Sequence, residues 1–512
     1  MNDTSDTQSG NGDDGGIIDN NINNRNHGGI SVGEATVHIV RGNLGPGALS
    51  LPFAYARAGW ASGTVLMLAV IAQAVYSMKL LASIENELVS DIDRNNGQND
   101  GVTFVSESVD DVASRRLNLG EVAERCISTR ARRAINLFLF ISQSGVCCVF
   151  ISLVSENVAS LVAVWHDRRN RYILLLFPLF ASISLLNKFR DMKIISHFGN
   201  FAMISVVLVA SSAAIAELAH MDNGGEYAKE AAAPQGVPKF LPTVKDLFLI
   251  ASTSFYAFEG LGIVLPIANS MAQPHKFSNA LRRSTIVLFS SYLLLGVTCG
   301  IAYHDRIDSG SITAFLANDA RDQNAAHWKV LVFNITNALV ALAVFLTFPL
   351  QLFPAAEVFD QWFCSSFSCQ SIYKLCPPNS RNYSDSSSLN LDSTELEQNY
   401  IFLPGGNNTS EEAHAHPCNA EKYYWMLRRV LLVAFFTLLT LAVPNVGLIV
   451  QLVGSIGSTT LAATPSVCNV SLNVKRNLPI YPLDIAIIIF CGILMVFGTV
   501  FAIKDIIDAH SS

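Results

Sequence analysis

The sequence predicts an all-α polytopic membrane protein with an inverted five-helix repeat, and three observations carry that reading. Half of the 512 residues are hydrophobic and only 15% are charged, where an ordinary soluble domain has about 25% charged residues. The apolar residues gather into about eleven runs near the roughly 20 residues needed to cross about 30 Å of hydrocarbon. The first and sixth of these runs are interrupted by Gly and Pro at matching places.

The first residues, 1–33, are rich in Asn, Gly and Asp and too poor in apolar groups to build a core, so a disordered cytosolic tail is expected there. They do not read as a signal peptide, because no basic start is followed by an apolar stretch. The transmembrane domain is assigned to 34–505. Its helices are centred near Leu44, Val70, Gly145, Pro178, Val206, Gly260, Leu294, Val340, Thr437, Leu452 and Leu494. Two long loops are expected, over 85–133 and over the Ser/Asn-rich 359–422, with a short C-terminal tail at 506–512. Both loops follow an even-numbered helix, so both fall on the side of the N-terminal tail.

Lys and Arg in short loops favour the cytoplasm. Lys188, Arg190, Lys193, Lys276, Arg282, Arg283, Arg428, Arg429, Lys475 and Arg476 lie on the tail side, against Arg168, Arg169 and Arg171 opposite. The N-terminus is therefore placed in the cytosol. On this topology the glycosylation sequons at Asn382, Asn407, Asn408 and Asn469 face the cytosol and stay unmodified.

Net charge is −7, with the acidic residues concentrated outside the apolar runs, so neither a nucleic-acid surface nor an acidic-substrate surface is implied. Most of the ten cysteines lie within apolar runs (Cys147, Cys148, Cys299, Cys491) or in loops read as cytosolic (Cys126, Cys364, Cys369, Cys376, Cys418), and no disulfide framework is implied. Cys364, Cys369 and Cys376 lack the regular spacing and fourth ligand of a zinc site. No cofactor is implied.

The first run contains GNLGPGALSLP, in which Gly42, Gly45, Pro46, Gly47 and Pro52 crowd a stretch of apolar helix. Gly costs about 1 kcal/mol and Pro about 3 kcal/mol in a helix interior relative to Ala, so this stretch should unwind. Irregular backbone at membrane depth survives only where protein or a water-filled cavity satisfies the freed amides and carbonyls. The sixth run repeats the pattern in STSFYAFEGLGIVLP, with Gly260, Gly262, Pro266 and a carboxylate, Glu259. Breaks five helices apart imply two inverted repeats with a substrate site between the broken helices 1 and 6. Gly and Pro also serve plain close packing in membrane helices; two matched breaks, one with a charge, favour the site.

Ionisable residues within the runs are too few to pair a nucleophile with a base or to cluster round a metal, and no GxxxxGK[ST] loop is present. An enzyme is not expected. A carrier, a channel and a substrate sensor would all need the same pocket.

Several stretches resemble the amino acid/auxin permease family, in its proton-coupled and vacuolar amino-acid transporter branch. They are HIVRGNLGPGALSLPFAYARAGW (38–60), SQSGVCCVFISLVSENV (142–158), FEGLGIVLPIANSMAQPHKF (258–277), TFPLQLFPAAE (347–357) and LVGSIGSTTLAATP (452–465). The resemblance covers roughly 34–505. It implies an amino-acid permease fold with an eleventh helix, and secondary active transport of amino acids by proton-coupled symport. The alternatives are sodium coupling, with Thr347 as a candidate oxygen, and a non-transporting sensor. The membrane implied is that of a vacuole or lysosome, or the plasma membrane.

By the same resemblance, the backbone at Gly45, Gly47 and Ala48 receives the substrate carboxylate at a half-helix N-terminus, where amides and dipole favour an anion. The substrate ammonium meets carbonyls near Tyr256 to Gly260. Pro46 is a departure, since it lacks an amide hydrogen where many relatives have one. Tyr256 and Phe258 read as pocket walls. His38, about two turns before the first break, titrates where compartments differ in pH, and the matching family His is linked to proton coupling. Glu259 is the second ion-coupling candidate, because intramembrane ionisable groups usually mark transport paths. Their bland readings are a structural histidine and a fixed partner for a base such as Arg41. His197 reads as structural.

Overall fold

Ser31 starts the first helix with a capping box: its hydroxyl accepts from the Glu34 N–H at 3.2 Å and the Glu34 carboxylate accepts from the Ser31 N–H at 2.8 Å. The computed structural model describes residues 30–99, 117–162, 169–185, 192–222, 242–304, 306–307, 310–323, 325–366 and 419–511. Span 1 is α1 (Val32–Asn43) and α2 (Pro46–Ala58), span 2 is α3 (Trp60–Asn99), and α4 (Leu119–Cys126) is a short helix before span 3, α5 (Thr129–Val162). Spans 4 and 5 are α6 (Arg169–Ser184) and α7 (Met192–Asp222), and span 6 is α8 (Val244–Ala257) with α9 (Leu261–Ser270). Span 7 is α10 (Phe277–Ala302); α11 (Ile312–Asp322) then leads to span 8, α12 (His327–Ser366), and span 9, α13 (Asn419–Leu441). Span 10 is α14 (Val446–Val453), a π-bulge over Gly454–Ser458, and α15 (Thr459–Lys475). Span 11 is α16 (Pro482–Ile493), a second π-bulge over Leu494–Gly498, and α17 (Thr499–Ser511).

Among the described residues, seven helices are long and apolar enough to cross a membrane. The two interrupted spans, α6 and α13 complete the eleven predicted. Large apolar side chains face outward along the bundle, among them Leu174, Phe201, Leu208, Leu438 and Ile489, each more than half exposed. Hydrocarbon, in which such groups cost nothing to expose, is the solvent this surface fits.

The ends of the elements differ from the sequence reading in several places. Ile30, inside the predicted tail, is buried and its backbone pairs with span 6: Ile30 N–H donates to Ser270 O at 2.8 Å and Ala272 N–H to Ile30 O at 3.0 Å. Within 85–133, α3 continues to Asn99 and α4 is helical. Charge ends the lipid-facing stretch there without ending the helix, since Glu87 and Asp91 pair with Arg476 of span 10. A second capping box, Asn118 with Glu121, starts α4, whose Cys126 O accepts from Ser471 Oγ at 2.8 Å. The 359–422 loop is shortened by α12, which reaches Ser366, and by α13, which starts at Asn419; 367–418, with Asn382, Asn407, Asn408, Cys369, Cys376 and Cys418, lies outside the described residues. The last helix runs to Ser511, through the tail assigned to 506–512.

Polar residues fasten the two ends of the bundle. Where α1 begins, the buried Glu85 accepts from Asn269 Nδ2 at 3.2 Å, joining spans 2 and 6. At the opposite end, Arg169 donates to Val443 O at 2.7 Å and Pro444 O at 3.0 Å, and pairs with Glu156 at 3.3 Å. That ties spans 3, 4, 9 and 10 at one point.

Candidate functional site

Both breaks form where predicted; the first passes through an extended residue and the second through a non-helical turn. In span 1, α1 ends at Asn43, Gly45 is extended, and α2 restarts with Pro46 in its first turn, where a missing amide hydrogen costs nothing. In span 6, α8 ends at Ala257 and α9 restarts at Leu261, with Phe258, Glu259 and Gly260 between. One phenol joins the two breaks. The buried Tyr292 of span 7 shares its hydroxyl proton between Asn43 O at 2.6 Å and Ala257 O at 2.9 Å, satisfying a carbonyl freed at each interruption. Phe258 stacks edge-on against the same ring at 4.8 Å.

Glycine brings the two spans into contact. A Cβ on Gly47 would lie 2.8 Å from Ala257 Cα and 2.9 Å from Tyr256 Cδ1, and one on Gly260 would lie 2.9 Å from Asn43 Nδ2. Gly47, Tyr256, Phe258 and Gly260 thus meet at one place, and Ala48 is buried beside them. The donor set is narrower than the resemblance implies. Gly45 N–H is used by Asn43 O at 2.8 Å, Ala48 N–H by Gly45 O at 3.0 Å, and Pro46 has none. Gly47 is the residue of this turn that packs directly on span 6. Asn43 adds a group the sequence reading passed over: its Nδ2 donates to Ile39 O at 2.9 Å, but its buried Oδ1 has no partner.

Glu259 projects from the span 6 break toward spans 3 and 10. Ser142 Oγ donates to Oε1, and Ser458 Oγ donates to Oε2 at 2.7 Å. Arg41 is not the partner of this carboxylate; its Nη2 is buried without a hydrogen-bond partner. The π-bulge in span 10 makes the contact geometrically possible. Gly454 packs directly on Ser252 O, and a Cβ on Gly457 would lie 2.7 Å from Ser142 Cβ, so span 10 approaches spans 6 and 3 closely enough for Ser458 to reach Glu259. Both serines sit in the motifs quoted above, yet only the fold brings them together. Single-turn π-bulges are frequent at functional sites.

Other candidates are placed apart from this centre. His38 lies half-buried on α1, beside the buried Ile39, while the hydroxyls on Glu259 come from spans 3 and 10. Thr347 turns its hydroxyl to its own helix, donating to Ala343 O at 2.9 Å, with its methyl toward Gly199 of span 5. His197 is helical, and its side chain lies outside the described residues. Asn469 stands inside α15 and donates to Asp484 at 2.7 Å, which removes it as a loop sequon. Among the described side chains, Cys126, Cys147, Cys148, Cys299, Cys468 and Cys491 are free and buried.

A bundle of apolar spans whose two interrupted members meet around buried polar groups defines an integral, multi-pass membrane protein. The chain belongs to the transmembrane amino acid transporter protein family, whose model matches residues 28–504. It is 22% identical over 324 residues to the amino acid transporter ANT1 of Arabidopsis thaliana, covering 63% of this chain and 66% of that protein, just under two-thirds of it. It is 22% identical over 340 residues to AVT3B of the same plant, covering 64% of this chain and 70% of that protein. With AVT3C it shares 23% identity over 342 residues, 62% of this chain and 68% of that protein. Both are likewise amino acid transporters by name.

Proposed function

We propose that the chain is a secondary active carrier that moves amino acids together with protons, the substrate resting between the breaks of spans 1 and 6. The observation that carries the coupling is the clasp on Glu259, a carboxylate at the break held by two neutral hydroxyls and, among the described residues, by no cation. Charged, it accepts from both serines. Protonated, it must donate to one of its neighbours, so one of the two hydroxyl contacts is lost or reversed, and the join between spans 3, 6 and 10 changes with it. Proton uptake and helix movement are thereby linked at the residue nearest the substrate.

The amino-acid substrate rests on family membership and on the names of the relatives. The N-terminal amide of α2 suits the substrate carboxylate, and carbonyls at 256–260 suit its ammonium, each carbonyl having a second lone pair free for another bond. His38 is assigned a secondary influence on the pH response, from α1. The end of the bundle that holds the N-terminus is placed in the cytosol, in an acidic organelle membrane where proton flow would drive export.

Counterflow in proteoliposomes tests the carrier. Labelled amino acid exchanging against an internal unlabelled pool supports transport. Binding without exchange supports a sensor, and flux without trans-stimulation supports a channel.

A further inference from the structure

Gln451 on α14 is fully buried, and neither Nε2 nor Oε1 of its amide has a hydrogen-bond partner. Buried polar side chains are nearly always paired, and among the described residues this is the side-chain amide left with both ends open. Its position is defined by its neighbours on the same helix face. Gly447, four residues earlier, faces the span 1 half-helix α2, where a Cβ would lie 3.1 Å from the Phe53 ring. Gly454, three residues later, faces span 6, packing on Ser252 O with a Cβ position 3.3 Å from Tyr256 Cβ. Residues three and four apart share a helix face, so Gln451 is aimed between α2 and α8, the two half-helices whose ends form the substrate site. Ser252 and Ser254 on α8 are buried with unpaired hydroxyls as well.

We propose that Gln451 reads the substrate's side chain and selects uncharged amino acids that carry a hydroxyl or carboxamide. An amide presents donors and an acceptor in one plane. A carboxamide or hydroxyl answers both; a carboxylate or an ammonium answers one and leaves the other end unpaired. An aliphatic side chain answers neither. A site built to hydrogen-bond such a group rejects the analogue lacking it, because its own buried groups then stay unpaired. The inference rests on the amino-acid carrier reading and deepens it by naming the substrate class.

The test is counterflow of labelled glutamine, serine and leucine by the full chain in proteoliposomes, comparing wild type with Gln451→Leu. Wild type should prefer glutamine and serine. The variant should raise KM for these two roughly 10-fold, the equivalent of about 1.4 kcal/mol, while KM for leucine is unchanged or falls. Equal shifts for all three, or no shift, overturn the proposal and leave Gln451 as a packing residue or the holder of a water. If Gln451→Leu is not monodisperse in detergent, Gln451→Asn, which keeps the amide but withdraws it by one methylene, is read by the same criterion. Absence of counterflow for every amino acid in wild type overturns the carrier reading and this proposal with it, a result distinct from equal shifts in the variant.

Discussion

The hydroxyl of Ser458 donates to Glu259 at 2.7 Å, across the gap between the bulge of span 10 and the break of span 6. With Ser142 on the other oxygen, three spans are held by one ionisable group. If this clasp transmits protonation, Ser458→Ala should lower pH-driven uptake roughly 10-fold, the scale of one hydrogen bond to a charged group. In a Glu259→Gln background the same substitution should add little, because residues in one network are non-additive. Initial rates for the four proteins complete the cycle; additive losses would mean that the two residues act separately.

Tyr292 offers a second entry to the same centre. Tyr292→Phe keeps the ring that packs on Phe258 and removes only the proton shared by Asn43 O and Ala257 O. Loss of a buried membrane hydrogen bond costs about 1 kcal/mol, so thermal unfolding in detergent should shift modestly downward. Counterflow should fall more sharply than stability, since both breaks lose their common tie. A change in melting with full transport would assign Tyr292 to packing alone.

The two broken spans touch through Gly47. Gly47→Ala would put a methyl 2.8 Å from the Ala257 backbone, which has no flexible end to yield. Overpacking of this kind costs about 1–3 kcal/mol, and transport should be abolished. Gly262→Ala is the matched control, because nothing lies within 4 Å of its Cβ position; it should transport normally. Both variants are compared by counterflow at equal membrane expression.

Orientation is tested by single cysteines. Lys276, between spans 6 and 7, and Lys329, at the start of span 8, are both exposed and lie at opposite ends of the bundle. In sealed vesicles of known sidedness, a membrane-impermeant maleimide should label Lys276→Cys from the cytosolic face and Lys329→Cys from the other, above the wild-type background. The reverse pattern would invert the proposed topology.

Both breaks were legible in the sequence because Gly45, Pro46, Gly47 and Gly260 violate local helix preference within apolar runs, and such a conflict is visible without knowing any partner. Glu259 was legible for the same reason, as a charge where lipid forbids one. What holds these groups was not. Tyr292, Ser142 and Ser458 are ordinary residues in ordinary helical stretches, and their roles come from packing between segments far apart in the chain. The π-bulge at Gly454–Ser458 likewise lies where Gly454 meets Ser252 and Gly457 meets Ser142, residues far away in the chain. The reading of 85–133 as a loop missed the end of α3, whose Glu87 and Asp91 pair with Arg476 of a segment far along the chain.

The most direct test of the central claim is proton-driven accumulation by Glu259→Gln. Wild-type proteoliposomes with an imposed pH gradient and no sodium should accumulate labelled amino acid, and a protonophore should abolish the accumulation. Glu259→Gln keeps a carbonyl for a serine to donate to but takes up no proton, so counterflow should persist while accumulation against a gradient is lost. Full pH-driven accumulation by this variant would contradict the assignment of coupling to Glu259. Wild-type uptake that needs sodium and ignores the pH gradient would contradict proton coupling altogether.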